Sequence, residues 1–313
     1  MIVGLPNSGK SQIFNNLTGE YTIVANSPLT TITTRKTKRR IGSETFEITD
    51  TPGLHSLYVH SEEERIVRET IFTENPDVLI QCIDANRLKQ SLVLTADLLT
   101  LGIPMVISLN AIDETTRRGI WIDSDGLSRI FGIPVIESMA LHGQGTGALK
   151  DAIAEARKGK LEIHYGDIIE NGRLSIEGQL RSDFPHRRIA SLLIMMNDPF
   201  IIGQLEDTHS KAETGGLIRE SETIRDSFRG NINHIINNKR SQWINEAIGM
   251  TVKRQKVAPR EFSRHVARLS RHPFFGIPIL FLVLYVMFFL VVNVANQVSV
   301  WMTDMLWLPV ETA

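Results

Sequence analysis

Eight consecutive residues near the N-terminus, Gly4-Leu5-Pro6-Asn7-Ser8-Gly9-Lys10-Ser11, fit the pattern G-x-x-x-x-G-K-[ST] and lead directly into an apolar helical stretch, 12–17. Glycine lets the backbone approach a phosphate closely, so that successive N–H groups point inward at a helix N-terminus. In this pattern Lys10 reaches the β- and γ-phosphates and the Ser11 hydroxyl ligates Mg²⁺. Two later tetrapeptides choose the base. Asp50-Thr51-Pro52-Gly53 closes a predicted strand, with Asp50 positioned to hold Mg²⁺ through water and the Gly53 N–H to meet the γ-phosphate. Asn110-Ala111-Ile112-Asp113 follows the strand 104–109. Asp113 can accept two hydrogen bonds from the N1–H and exocyclic amine of guanine. Adenine has no matching donor pair and would leave a buried carboxylate unpaired. Each tetrapeptide alone is a common turn. In this order, each after its own strand, they predict a site for GTP and GDP.

Hydrolysis needs a water in line with the γ-phosphate and compensation for growing negative charge. The catalytic set predicted here is Lys10, Gly53 and a threonine in the loop between Asn26 and Arg35. Thr31, twenty positions after Ser11, is the candidate to contact Mg²⁺ and the γ-phosphate through its hydroxyl and carbonyl, with Thr30, Thr33 and Thr34 as competitors. Many GTPases place glutamine directly after Asp-x-x-Gly. Here the residue is Leu54, which cannot orient water, and Arg35 is the one nearby arginine to consider as a finger. Slow intrinsic turnover follows, helped by a monovalent cation or a partner. Asn7 can offer an oxygen to such a cation or simply cap its loop.

These groups need a scaffold of alternating strands and helices. Apolar runs at 77–83, 104–109 and 134–136 read as strands, and 12–17, 92–101, 127–131 and 149–156 as helices, an order that implies a mostly parallel α/β sheet. Segments 34–41 and 45–49, flanking Gly42-Ser43-Glu44, read as a hairpin that adds one antiparallel edge strand. The first strand looks clipped, because only Met1, Ile2 and Val3 precede Gly4. Beyond 157 the β pattern ends and helical spacing takes over, with 158–173 as a linker and Asn197-Asp198-Pro199 and Gly215-Gly216 as breaks. The predicted domains are a nucleotide-binding domain over 1–157, a small α-helical domain over 158–271, and a transmembrane helix with a short external tail over 272–313.

The membrane assignment rests on 274–292, nineteen residues without a charge, close to the ~20 that cross a bilayer. Seven basic residues from Lys253 to Arg271 precede it and no Lys or Arg follows, so the positive-inside rule keeps the N-terminal domains in the cytoplasm. A net charge of −1 argues against a nucleic-acid-coating protein, and 158–271 lacks the basic-aromatic pattern of an RNA binder. The single cysteine, Cys82, reads as a core residue. His186, His209 and His234 match no metal-ligand spacing.

With Gly4–Ser11, Asp50-Thr51-Pro52-Gly53-Leu54-His55-Ser56-Leu57, Asn110–Asp113 and especially His272-Pro273-Phe274-Phe275-Gly276-Ile277-Pro278-Ile279, nearly the whole chain resembles the ferrous iron transport protein B family. The resemblance implies a GTPase, then a guanine-dissociation-inhibitor-like helical domain, then membrane helices, serving Fe²⁺ uptake across the bacterial inner membrane. It implies that Asn7 helps bind K⁺, which accelerates hydrolysis, and that Thr31 is the switch threonine. It further implies base contacts from Ser138-Met139-Ala140, where the family often has Ser-Ala. Implied partners are membrane lipid, further transporter helices or a split chain that carries them, small Feo-type accessory proteins and other copies of the chain. Departures are Ser27-Pro28-Leu29-Thr30-Thr31 in place of Trp-Pro-Gly-Val-Thr, and His55 in place of tyrosine. The family carries many membrane helices and this chain has one, which cannot enclose an ion path. A fragment or a split form is therefore expected, with a GTP-dependent binding module of negligible turnover as the alternative.

Overall fold

The computed structural model describes residues 1–19, 35–59, 61–228, 231–255, 269–272 and 274–302. Met1–Gln255 form one compact unit and Lys256–Ala313 a second. The first is built on a seven-stranded sheet in the order β2-β3-β1-β4-β5-β7, with β8 antiparallel to β5. Its strands are β1 (Ile2–Gly4), β2 (Arg35–Ile41), β3 (Glu44–Asp50), β4 (Leu79–Asp84), β5 (Pro104–Asn110), β7 (Val135–Ser138) and β8 (Arg157–Lys158). Strands β3, β1, β4, β5 and β7 pair in parallel, while β2 turns back on β3. This matches the mostly parallel sheet and edge hairpin predicted from sequence. The β4 and β5 runs read as continuously apolar because both faces of a parallel sheet are covered. The edge strand β2 instead exposes Arg35, Lys36, Lys38, Arg39 and Arg40, charges that discourage pairing with another chain.

Register determines where chemistry can happen. Ile2 lies opposite Asp50 and Ile80, Gly4 opposite Cys82, Asp84 opposite Asn110, and Asn110 opposite Ser138. The carboxyl ends of five strands therefore finish along one edge of the sheet, where open α/β sheets bind ligands. On one face, α1 (Lys10–Thr18) and α6 (Thr146–Ala154) cover Ile2, Ile80, Cys82 and Val106. On the other, α2 (Glu62–Glu74) and α3 (Leu88–Leu101) pack over Leu79, Ile83 and Ile107. That second core runs without interruption into Ile189, Leu193, Ile236 and Ile244 of the later helices.

Those helices are α7 (Asp167–Gln179), α8 (Arg187–Met195), α9 (Pro199–Thr208), α10 (Lys211–Asp226) and α11 (Ile232–Thr251). The Asn197-Asp198-Pro199 break is present: Asn197 takes φ 59° and Asp198 caps α9 through Phe200 N and Ile201 N. Two other expectations are corrected. The linker 158–173 is shorter than read, since α7 begins at Asp167. Gly215-Gly216 does not break α10, because a Ser210/Glu213 capping box starts the helix and the burial of Thr214, Leu217 and Ser221 carries it through both glycines. Unforeseen was a small sheet of β6 (Ile120–Ile122) and β9 (Val252–Arg254), which joins α4 (Ile112–Arg117) and α5 (Ser124–Phe131) to the end of α11.

In the second unit, helix Gly276–Met302 carries a window, Gly276–Gln297, with hydropathy 2.7 and no buried residue. Its 22 residues, at about 1.5 Å each, measure roughly 33 Å, long enough for the ~30 Å hydrocarbon core.

Candidate nucleotide-binding site

The phosphate-loop residues connect β1 to α1 at the carboxyl edge of the sheet. Gly9 sits at the N-cap of α1 with φ 96°, and a Cβ there would lie 2.4 Å from Asn110 Nδ2. Only glycine meets both conditions. Lys10 is 7% exposed and donates from Nζ to Leu5 O at 2.9 Å, which folds its ammonium back over the loop. Burial pulls its pKa below the ordinary value, against the pull of Cys82 and Asp50. Beneath the loop, burial drives the Cys82 thiol up to about 12, so it stays protonated as a core residue.

Asp50 ends β3 next to this ammonium. Burial raises its pKa, while a hydrogen bond from Ser11 and the charge of Lys10 oppose the rise. Its Oδ1 is buried without a hydrogen-bond partner among the described residues. An orphaned carboxylate oxygen beside a serine hydroxyl is the donor chemistry of a hard divalent cation, so Ser11 and Asp50 fit Mg²⁺. Thr51 Oγ1 bonds Ile2 O at 2.8 Å, and Leu54 N donates to Gly4 O at 3.0 Å. Gly53 is equally constrained, since a Cβ would come 2.4 Å from Pro6 Cγ. The Leu54 side chain is fully buried in the core. The position where many GTPases carry a water-orienting glutamine is thus an anchor.

The base end is assembled from β5, β7 and α4. Asn110 donates from Nδ2 to Ser8 O at 3.2 Å and accepts from Ala140 N on Oδ1 at 2.9 Å, so its side chain straps the phosphate loop to Ser138-Met139-Ala140. Asn16 adds a bond to Ala140 O at 2.8 Å, and Ser108 and Ser138 share a hydroxyl hydrogen bond at 2.8 Å. Ala111 takes φ 60° and starts α4, where Asp113 is paired with Arg117 one turn on. Asn7, at φ 61°, is exposed on its loop. Gly4, Leu5, Pro6, Pro52 and Ile112 fall where the three motifs place them. Thr31 and its competitors Thr30, Thr33 and Thr34 lie outside the described residues.

Three supporting groups escaped the sequence reading. Arg87 Nη1 donates to Pro6 O at 3.3 Å. Arg68 Nη1 donates to Leu57 O at 3.1 Å and to Asp198 at 2.7 Å. Asp97 Oδ2 accepts from Ser56 Oγ at 2.6 Å and Leu57 N at 3.0 Å, while its Oδ1 pairs with Arg240 at 2.7 Å. Arg87 thus braces the phosphate loop, while Arg68 and Asp97 clamp the segment after Gly53. The visible signal was Asp97 itself, an isolated acid within the leucine-rich α3.

Residues 1–153 match the family model "Ferrous iron transport protein B". Over 308 residues, 95% of this chain, it is 30% identical to the Fe(2+) transporter FeoB of Escherichia coli (strain K12). The same identity extends over 314 residues to the Fe(2+) transporter FeoB of Legionella pneumophila (strain Paris). The chain belongs to the ferrous iron transport protein B family. It spans about 39% of the length of those two relatives. Among solved structures, S. thermophilus NFeoB bound to GDP.AlF4- and K+ superposes with a TM-score of 0.69 at 28% identity, covering 79% of this chain and 97% of that one. The cytosolic domain of L. pneumophila FeoB gives 0.67 at 28%, covering 81% and 98%.

Proposed function

We propose that this chain is a Mg²⁺-dependent GTPase, the regulatory part of a ferrous iron uptake system held at the bacterial inner membrane. Its nucleotide-binding and helical domains, 1–157 and 158–271, face the cytoplasm. One observation carries the reading. Lys10, Ser11 and the orphaned Asp50 oxygen converge on a phosphate loop that Asn110 straps to the elements bearing Asp113 and Ala140. Lys10 holds the β- and γ-phosphates, Ser11 and Asp50 hold Mg²⁺, Gly53 offers its N–H to the γ-phosphate and Asp113 reads guanine. Held by Ser11 and Asp50, Mg²⁺ would supply neutralisation of the negative charge on the phosphate oxygens. Thr31 contacts Mg²⁺ and the γ-phosphate, Ser138-Met139-Ala140 flank the base and Asn7 ligates K⁺. Further membrane helices, accessory proteins or other copies are its partners in ion passage.

Turnover is slow unless K⁺ is present, because the Leu54 side chain is committed to the core. That same burial favours a second reading, a binding module whose GTP occupancy gates a membrane partner without appreciable hydrolysis. Phosphate release measured in K⁺ and in Na⁺ separates the two. At least a tenfold acceleration by K⁺ supports the GTPase, and negligible release in both with tight GTP binding supports the module. Asp113→Asn should move preference from guanosine to xanthosine nucleotides by about 1–3 kcal/mol, the worth of a buried unpaired polar group. Unchanged preference would overturn the site assignment.

A further inference from the structure

The two-stranded ladder of β6 and β9 has one face on the core and one in solvent. Ile122 is buried, and Ile120 and Val252 pack against the same core, so strand alternation turns Trp121 outward. Its ring is 53% exposed, and among the described residues of Met1–Gln255 it is the one exposed aromatic side chain. Lys253 lies directly opposite it in the register and is exposed on the same face, with the exposed Arg254 next in the strand. Asp123 N donates to Thr251 O at 2.8 Å and Gln255 N to Gly119 O at 2.7 Å, which closes the ladder at both ends and holds ring and ammonium side by side. Arg118, exposed at the end of α4, adds a third cation. The neighbouring Arg117 is committed to Asp113. Asp123, the acid that follows β6, is engaged by the Gly126 N–H and by Arg129 at 3.6 Å.

We propose that this face docks the compact unit on an anionic lipid surface, with the Trp121 ring at the boundary between headgroups and acyl chains and Lys253, Arg254 and Arg118 on the headgroups. Tryptophan suits that boundary because its ring is apolar while its indole N–H still finds an acceptor there. Each Lys or Arg beside an anionic leaflet strengthens binding about fivefold. The inference rests on the membrane reading of Gly276–Gln297. About twenty residues separate Gln255 from that span, and so short a tether keeps the local lipid concentration high. An acidic protein would satisfy the cations alone. The bilayer to which the chain is tied supplies anionic headgroups and apolar depth together.

Tryptophan fluorescence of the full chain in nanodiscs tests this, with brominated phosphatidylcholine as the quencher. Trp121 emission is the difference between the chain and its Trp121→Phe variant, so the other tryptophans cancel. In discs that also hold phosphatidylglycerol, about half of that emission or more should be quenched, against about threefold less quenching in discs of phosphatidylcholine alone. Lys253→Glu with Arg254→Glu, both at exposed positions, should cut the quenching about threefold, and about 0.5 M KCl should do the same to the unaltered chain by screening. Docking falls if Trp121 is unquenched in the anionic discs, or if neither charge reversal nor salt relieves the quenching. A blue shift on adding poly-L-glutamate, without quenching by lipid, gives the face to an acidic protein and overturns it too. A chain that fails to co-elute with discs of either composition overturns the anchor and the docking with it, whereas co-elution with an unquenched Trp121 overturns the docking alone. Nucleotide turnover is not a readout, so failure here leaves the GTPase reading untouched.

Discussion

Lys10 keeps a positive charge inside the protein, and among the described residues its Nζ donates to the carbonyl of Leu5. Its folded-state pKa lies below the ordinary 10.5. Without nucleotide, stability should therefore rise as pH climbs from the lowered value toward 10.5, and a bound phosphate removes the penalty. Lys10→Met should flatten that rise and raise the nucleotide-free Tm by about 2–4 °C, a gain of roughly 1 kcal/mol, while abolishing GTP binding. Scanning calorimetry across pH checks both outcomes. At Gly53 the direction reverses. Gly53→Ala drives a methyl into Pro6 and should cost about 1–3 kcal/mol by overpacking, with hydrolysis slowed more than GTP affinity. Glycines, lysine and aspartates at such spacing were legible because residue type alone dictates their chemistry. Arg87, Asn16 and Arg68 were not, since each meets a partner 81, 124 or 130 positions away.

Elements were read well where local pattern and tertiary burial agree. Strands β4 and β5 announced themselves as short apolar runs, and α3 by its leucines. Helix α10 shows the opposite case, in which packing and capping override two poor helix formers. Neither Gly215 nor Gly216 has an atom within 4 Å of a would-be Cβ, so replacing either with alanine should stabilise the chain by about 1 kcal/mol, read from chemical denaturation. The contact between α3 and α11 rests on a fully buried Asp97–Arg240 pair. Asp97→Ala should cost about 3–5 kcal/mol by stranding the guanidinium, and Asp97→Ala with Arg240→Met together should cost less than Asp97→Ala alone. A double-mutant cycle on urea unfolding gives the coupling directly. Strands β6 and β9 went unread because three-residue segments separated by more than a hundred positions leave no periodicity to find.

The whole chain divides into a compact unit ending at Gln255 and a C-terminal unit dominated by one long apolar helix. Residues 1–255 should remain in the supernatant after ultracentrifugation and unfold cooperatively, whereas the full chain should pellet with membranes and resist alkaline carbonate. The apolar span was legible from hydropathy alone. The continuity of the core from the sheet into α8 and α11 was not, since no local pattern reports which faces meet. The short β6–β9 ladder adds a mechanical consequence. The last residues before Lys256 are hydrogen-bonded through Ile120, Trp121 and Ile122 to the chain just beyond Asp113. Tension on the C-terminal unit therefore reaches the compact unit first through the rungs that follow Asp113 in the chain. In a tweezers experiment that tugs on the tail, guanine nucleotide should escape faster under load before the sheet itself gives way.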